Sequence, residues 1–229
     1  MSEKKEGSAK NDTDSKEDVV FYICRHGETD WNLQRRIQGQ TDTKLNKNGE
    51  LQARELGKAI LSLPVTYFVS SDLARAYDTG KIIAEVWVQN KRKHIPKLHS
   101  DKRLREIHAG EFQGKLSREV QFERTLALRQ GKYPGGESYE ELINRSRDAI
   151  FDAASKAGEG GTVLAVAHGG LIRSVAKEIM NSENKRLVAP VVTNCCMSTF
   201  RVNLKKKSIS IVSLFDRMIK DKNAKDDSG

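Results

Sequence analysis

Cysteine is scarce: 229 residues hold three, two of them adjacent at Cys195-Cys196, so the chain has neither a disulfide framework nor a CxxC metal pattern. That usage fits a reducing compartment. No apolar stretch approaches the length that spans a bilayer, and the polar first residues lack the apolar centre of a secretory signal. The expectation is a soluble, cytoplasmic protein with no membrane partner. Aromatic residues make up only 6% and the lysines and arginines are dispersed, so neither an RNA-binding motif nor a stacking platform is visible. Nucleic acid is not expected as a partner. The sequence also lacks internal repeats and metal-ligand spacings such as HxxxH, with His94, His99 and His108 scattered, so neither a metal nor any other cofactor is expected. Asn11-Asp12-Thr13 and Asn144-Arg145-Ser146 match the glycosylation sequon, which without a secretory signal reads as chance.

What the chain has is positive charge, formally +9. Residues 1–18 carry more Asp and Glu than Lys, and 216–229 are balanced, so the excess sits on the residues between. Such a surface favours anionic partners, and a small phosphorylated substrate fits. Residues 1–18 hold no large apolar side chain after Met1 and are expected to be a disordered tail, with a second polar tail at 216–229. One domain is expected over 19–215.

Two apolar runs dominate that domain. Val19 to Cys24 and Thr162 to Ala167 read as strands buried on both faces, the first followed by Arg25-His26 and the second by His168. Helical spacing runs from Gly49 to Leu63 through Leu51, Leu56, Ala59 and Ile60, with Pro64 as the stop. Val65 to Val69 reads as a strand, and Ser70-Ser71-Asp72 as the cap of a helix from Leu73 to Val88. Lys97 to His99 reads as a short strand, Ser117 to Arg129 as a helix, and Glu137-Ser138 as the start of another. A helix over Leu171 to Met180 and a final hairpin, Met197 to Val202 with Ser208 to Leu214, complete the chain. Alternating strands and helices predict an α/β fold, a mainly parallel central sheet with helices on both faces.

Ionisable residues collect at strand ends, where open α/β sheets bind ligands, or on loops: Arg25-His26, Arg75 just inside a helix start, Glu106 and His168. A guanidinium grips phosphate oxygens bidentately and a neutral imidazole can attack phosphorus. The order of motifs, Arg25-His26-Gly27-Glu28-Thr29 with Trp31-Asn32, Gln38-Gly39, Ser70 to Ala76, Leu104-Arg105-Glu106-Ile107 and His168-Gly169-Gly170, resembles the histidine phosphatase superfamily, also called phosphoglycerate mutase-like, over about Val19 to Leu214. The resemblance implies that His26 is transiently phosphorylated. It implies that Arg25, Arg75 and His168 stabilise the transferring group, with help from the Gly169 amide, and that Asn32, Gln38 and Gly39 line the pocket. His168 is expected to arrive from the other edge of the sheet. Glu106 would protonate the leaving oxygen and later activate water, with Glu28 and Glu111 the alternatives if it does not.

Three rival readings remain open on the sequence. Cys195 to Arg201 spells Cys-x5-Arg, the spacing of cysteine phosphatases, but the intervening residues lack the glycines of a phosphate-cradling loop. A phosphate-binding module without catalysis is the second. The third is a phosphoglycerate mutase-type phosphotransferase, against which stand the short stretch between Glu106 and His168 and the Leu-Arg-Glu-Ile acid segment. A phosphatase is the reading these departures favour.

Overall fold

The two apolar runs lie side by side. β1 (Val19–Arg25) and β4 (Thr162–Ala167) pair in parallel with Tyr22 opposite Leu164 and Arg25 opposite Ala167. The computed structural model describes residues 16–185, 187 and 192–219. Of the two expected tails, only 16–18 and 216–219 fall within that range. The sheet runs β3-β2-β4-β1-β5-β6, with β2 (Tyr67–Ser70) and β3 (Leu98–Ser100) on one side, and β5 (Met197–Asn203) and β6 (Ser208–Asp216) on the other. Strands β3, β2, β4 and β1 are mutually parallel; β5 and β6 add antiparallel.

Helices cover both faces. Phe21 and Ile23 of β1 and Val163 and Ala165 of β4 pack with α5 (Tyr139–Ala157) and α6 (Gly169–Ser182). Cys24, Leu164 and Val166 pack on the opposite side with α2 (Lys47–Ala59) and α3 (Ala74–Gln89). Every residue of β4 is buried, as expected of a strand with helices on both faces. Val20 and Tyr22 in β1 are only half-buried, Tyr22 packing against the cluster formed with α2 and α3. Two short elements, α1 (Asp30–Leu33) and α4 (Gln121–Arg129), lie in the long connections. No helix among the described residues is long and apolar enough to cross a membrane.

Several local expectations shift. Helix α2 ends at Ala59, with Ile60 as its cap, and a turn over Ile60 to Leu63 carries the chain to Pro64. Leu51 is 58% exposed. The contact face of α2 is built on small residues instead: a Cβ on Gly57 would stand 3.1 Å from Val86 Cβ, so glycine lets α2 and α3 close up. Ser70-Ser71-Asp72 does not cap α3 in the expected way. The amide of Ala74 donates to Asp42 Oδ1 at 2.7 Å, a cap from a distant loop, while Asp72 pairs with Arg105. Helix α4 starts at Gln121 rather than Ser117, because the Ser117 amide donates to the Arg35 carbonyl and holds that segment against another loop. Ser138 does open α5, through a capping box with Glu141.

Candidate active site

The parallel register of β1 and β4 brings two histidines together. The His26 amide donates to the Ala167 carbonyl at 3.0 Å, and one residue later His168 begins α6. The imidazole centroids are 5.2 Å apart and the rings tilt by 59°. His168 therefore comes from the strand next to β1 at the centre of the sheet, not from its other edge. Both rings are buried. His26 Nδ1 lies 2.6 Å from the Gly27 carbonyl, which can only accept, so Nδ1 carries the proton and the lone pair is on Nε2. Burial, then the charges of Arg75 and Arg25, hold the His26 imidazolium well below its usual range. Burial and Arg75 do the same for His168. At neutral pH both rings are uncharged.

Two guanidiniums face this pair; among the described residues neither makes an ion pair, although the charge of Glu106 acts on both. Arg25, the last residue of β1, donates from Nη1 to the Val192 carbonyl at 2.6 Å. Arg75, in the first turn of α3, donates to the carbonyls of Thr41 and Gly39 at 2.8 and 2.7 Å. Carbonyls fix the position of a guanidinium and leave its charge for another ligand. Burial lowers Arg75 to about 10, still protonated at neutral pH. The Nε atoms of Arg25 and Arg75, and both ring nitrogens of His168, are buried without a hydrogen-bond partner among the described residues. Buried polar atoms in folded proteins are nearly always paired, so this concentration of orphans marks a place for an oxyanion.

Glu106 completes the ring of charged groups. It pairs with neither Arg103, held by Asp101 and Asp152, nor Arg105, held bidentately by Asp72. Its two oxygens accept the amides of Ile107 at 2.9 Å and Gly170 at 2.8 Å. Any Cβ at position 170 would overlap that carboxylate, which explains the second glycine after His168. The resulting cleft has a volume of about 390 Å³ and is lined by Arg25, His26, Asn32, Gln38, Gly39, Arg75, Glu106 and Gly169, while His168 is buried next to His26 and is not among the lining residues. Asn32 Oδ1 accepts from Thr29 and Asn194, leaving its Nδ2 donor for a ligand. Glu28 and Glu111 do not line the cleft; Glu28 bonds Asn46 at 3.0 Å.

Several contributors escaped the sequence reading. Asn194 Nδ2 donates to the His26 carbonyl at 2.9 Å and fixes the backbone of His26 from the loop before β5. Arg145, part of the chance sequon, donates to the carbonyls of Arg103, Arg105 and Glu106 and pairs with Glu137, clamping the Glu106 segment onto α5. A cation beside the apolar Leu142 and Ile143 was the available signal. Trp31, Arg35, Arg36, Arg124 and Tyr133 also line the cleft. Cys195 lies in the core beside Leu56 and Ile60, and burial pushes its thiol well above the usual range, which argues against a thiolate nucleophile.

The sequence pattern described as the histidine phosphatase superfamily (branch 1) matches residues 21–216. Among curated proteins, a probable phosphoglycerate mutase GpmB from Serratia proteamaculans is 37% identical over 158 residues, 66% of this chain and 70% of that protein. Among solved structures, YhfR of Bacillus stearothermophilus superposes with a TM-score of 0.73 at 26% identity, covering 87% of this chain and 98% of YhfR. A mycobacterial glucosyl-3-phosphoglycerate phosphatase in complex with VO3 gives 0.72 at 28% identity, covering 86% and 99%. With paired histidines at adjacent strand ends and a match that spans nearly the whole sheet, this chain belongs to the histidine phosphatase superfamily.

Proposed function

We propose that the protein is a cytosolic phosphomonoester hydrolase that needs no metal and passes the phosphoryl group through His26. The observation that carries this reading is the set of buried polar atoms without partners around the His26 ring: Arg25 Nε, Arg75 Nε and the two His168 nitrogens, one of which carries a proton. Phosphoryl transfer spreads charge over three equatorial oxygens, and the protein contributes mainly by placing cations and N–H groups against them. Nε2 of His26 attacks phosphorus and the ester P–O bond breaks. The Nδ1 proton, held on the Gly27 carbonyl, keeps the attacking nitrogen in the correct tautomer. Glu106 gives the departing oxygen its proton; each carboxylate oxygen has two lone pairs and spends one on an amide, so a site for that proton remains. Water then attacks the phosphohistidine as Glu106 takes its proton, releasing inorganic phosphate and restoring His26.

The second reading, a mutase-type phosphotransferase, is favoured by the curated relatives described as probable phosphoglycerate mutases. It differs only in the acceptor. The test uses 3-phosphoglycerate primed with a catalytic amount of 2,3-bisphosphoglycerate, following inorganic phosphate and 2-phosphoglycerate together. Phosphate release without efficient isomerisation is expected. Rapid isomerisation with negligible phosphate would replace the hydrolase by the mutase, because retaining the phosphoryl group requires water to be kept out. In the same assay His26→Ala abolishes turnover while Cys195→Ser keeps most of it; the opposite pattern would remove His26 from the mechanism.

A further inference from the structure

The segment from His26 to Thr29, between β1 and α1, belongs to no strand or helix, so its backbone must find partners elsewhere. The two peptides that follow His26 are bound at every polar atom by a side chain. Asn194 Nδ2 donates to the His26 carbonyl, and the Gly27 amide donates to Thr79 Oγ1 at 3.0 Å. The Gly27 carbonyl takes the His26 Nδ1 proton, and the Glu28 amide donates to Gln52 Oε1 at 2.9 Å. A Cβ on Gly27 would overlap the Gly49 carbonyl in the first turn of α2, so this backbone has no room to drift on that side.

Thr79 differs from the other braces in what stands on its far side. It lies one turn after Arg75 on the same face of α3 and is fully buried. Its hydroxyl donates to the Arg75 carbonyl at 2.7 Å. A threonine inside a helix often makes that bond to the residue four before it, and with no second partner for the oxygen it would be an ordinary helix contact. Here the second partner is the Gly27 amide, 52 residues away in the chain. A carbonyl can only accept, so the hydroxyl proton goes to Arg75 and an oxygen lone pair takes the amide. One side chain, stiffened by its branched Cβ, thereby joins the backbone that holds the His26 ring to the turn that carries Arg75.

We propose that Thr79 is a positioning residue for phosphoryl transfer: by tying Gly27 to the Arg75 turn it keeps Nε2 of His26 aimed at the phosphorus that Arg75 holds, and keeps the Gly27 carbonyl where it fixes the Nδ1 tautomer. Thr79 is not among the residues that line the cleft, so it acts through His26 and Arg75. This rests on the reading of His26 as the nucleophile, and one arm of the test reads the His26 ring without turnover.

The experiment compares, in the full chain, Thr79→Val, which keeps the shape and removes both bonds, with Thr79→Ser, which keeps the hydroxyl. In single-turnover reactions with p-nitrophenyl phosphate, Thr79→Val is expected to slow phosphohistidine formation on the order of 10- to 100-fold. The half-saturating substrate concentration should change by less than about threefold, because a misaimed nucleophile loses rate before the site loses binding. Thr79→Ser recovers most of the rate. Nitrogen-15 spectra of the histidine-labelled protein, with His26 assigned by its loss in His26→Ala, should show one Nδ1-protonated tautomer in the wild type and in Thr79→Ser, and a mixture in Thr79→Val. A Thr79→Val variant that unfolds at lower urea yet keeps both the rate and the tautomer would overturn the proposal, as would a Thr79→Ser variant as slow as Thr79→Val. If Thr79→Val does not fold, Thr79→Cys, whose thiol is a weaker partner in both bonds, takes its place under the same criteria. If the spectra change as expected while the wild type hydrolyses no phosphomonoester, the positioning of His26 stands and the hydrolase reading falls.

Discussion

At the scale of single residues, the site is defined by which polar atoms have no partner. A histidine buried in a strand layer ordinarily donates or accepts at one ring nitrogen at least; His168 does neither among the described residues, and its neighbour His26 is locked by Gly27 into the tautomer that leaves Nε2 free. Keeping both rings neutral has a measurable consequence. Below the unfolded value near 6.5, the unfolded chain takes up a proton at each histidine that the folded chain refuses, because burial and the two arginines depress the folded values. The unfolded state then binds more protons, so stability must fall as pH falls, by up to about 1.4 kcal/mol per pH unit for each ring. Urea unfolding between pH 7 and 5.5 checks this, and His168→Gln should flatten the slope; a wild-type stability independent of pH across that window would contradict it. Glu106 is tested through the leaving group. Glu106→Gln should slow phosphohistidine formation from an alkyl phosphate on the order of 10²–10⁴-fold and from p-nitrophenyl phosphate far less, because p-nitrophenolate departs without a proton. Single-turnover measurement isolates that step, and equal slowing of both substrates would reduce Glu106 to a positioning residue.

At the scale of elements, the site depends on helix starts. Helix α6 opens at the catalytic strand end, and its second amide holds Glu106. The start of α3 carries Arg75 and is capped by Asp42, more than thirty residues earlier in the chain. Asp42→Ala should therefore cost about 1 kcal/mol of stability, the usual size of a lost cap, and should weaken phosphate binding because the turn that carries Arg75 loosens. Ser71→Ala, which removes only the 3.3 Å contact to the Leu73 amide, should do much less. Urea midpoints with and without inorganic phosphate report both effects, and an Asp42→Ala variant with unaltered stability would assign the cap elsewhere. The Asp72–Arg105 and Arg145–Glu137 pairs work at the same scale, fastening the segment that bears Glu106 to α3 on one side and α5 on the other.

At the scale of the whole molecule, the parallel strands β1, β4 and β2 end at one edge, and the segments beyond them bring Arg25, His26 and Arg75 to one cleft, with His168 buried next to His26, that a tetrahedral oxyanion should fill. Vanadate is expected to inhibit hydrolysis and to raise the unfolding midpoint, by about 2.7 kcal/mol of stability at a hundred times its dissociation constant. Activity is expected to survive exhaustive chelation; loss on chelation restored by a divalent cation would show that a metal is required. The sequence alone determined the two central strands, since runs of six and five apolar residues ending in Arg25-His26 and His168 leave few other arrangements, and its ordered motifs already pointed to Arg25, His26, Arg75, Glu106 and His168. It also determined α5, whose capping box is written locally in Ser138 and Glu141. Only the tertiary structure decided that β4 inserts between β1 and β2, so that the histidines meet at the centre of the sheet. It alone decided that Asp42 rather than Ser70 or Ser71 caps α3, and that Asn194 and Arg145 brace the site. The physical reason is the same in each case: periodicity and capping act over a few residues and can be read from neighbours in the chain, whereas these partners are chosen by the packing of distant segments.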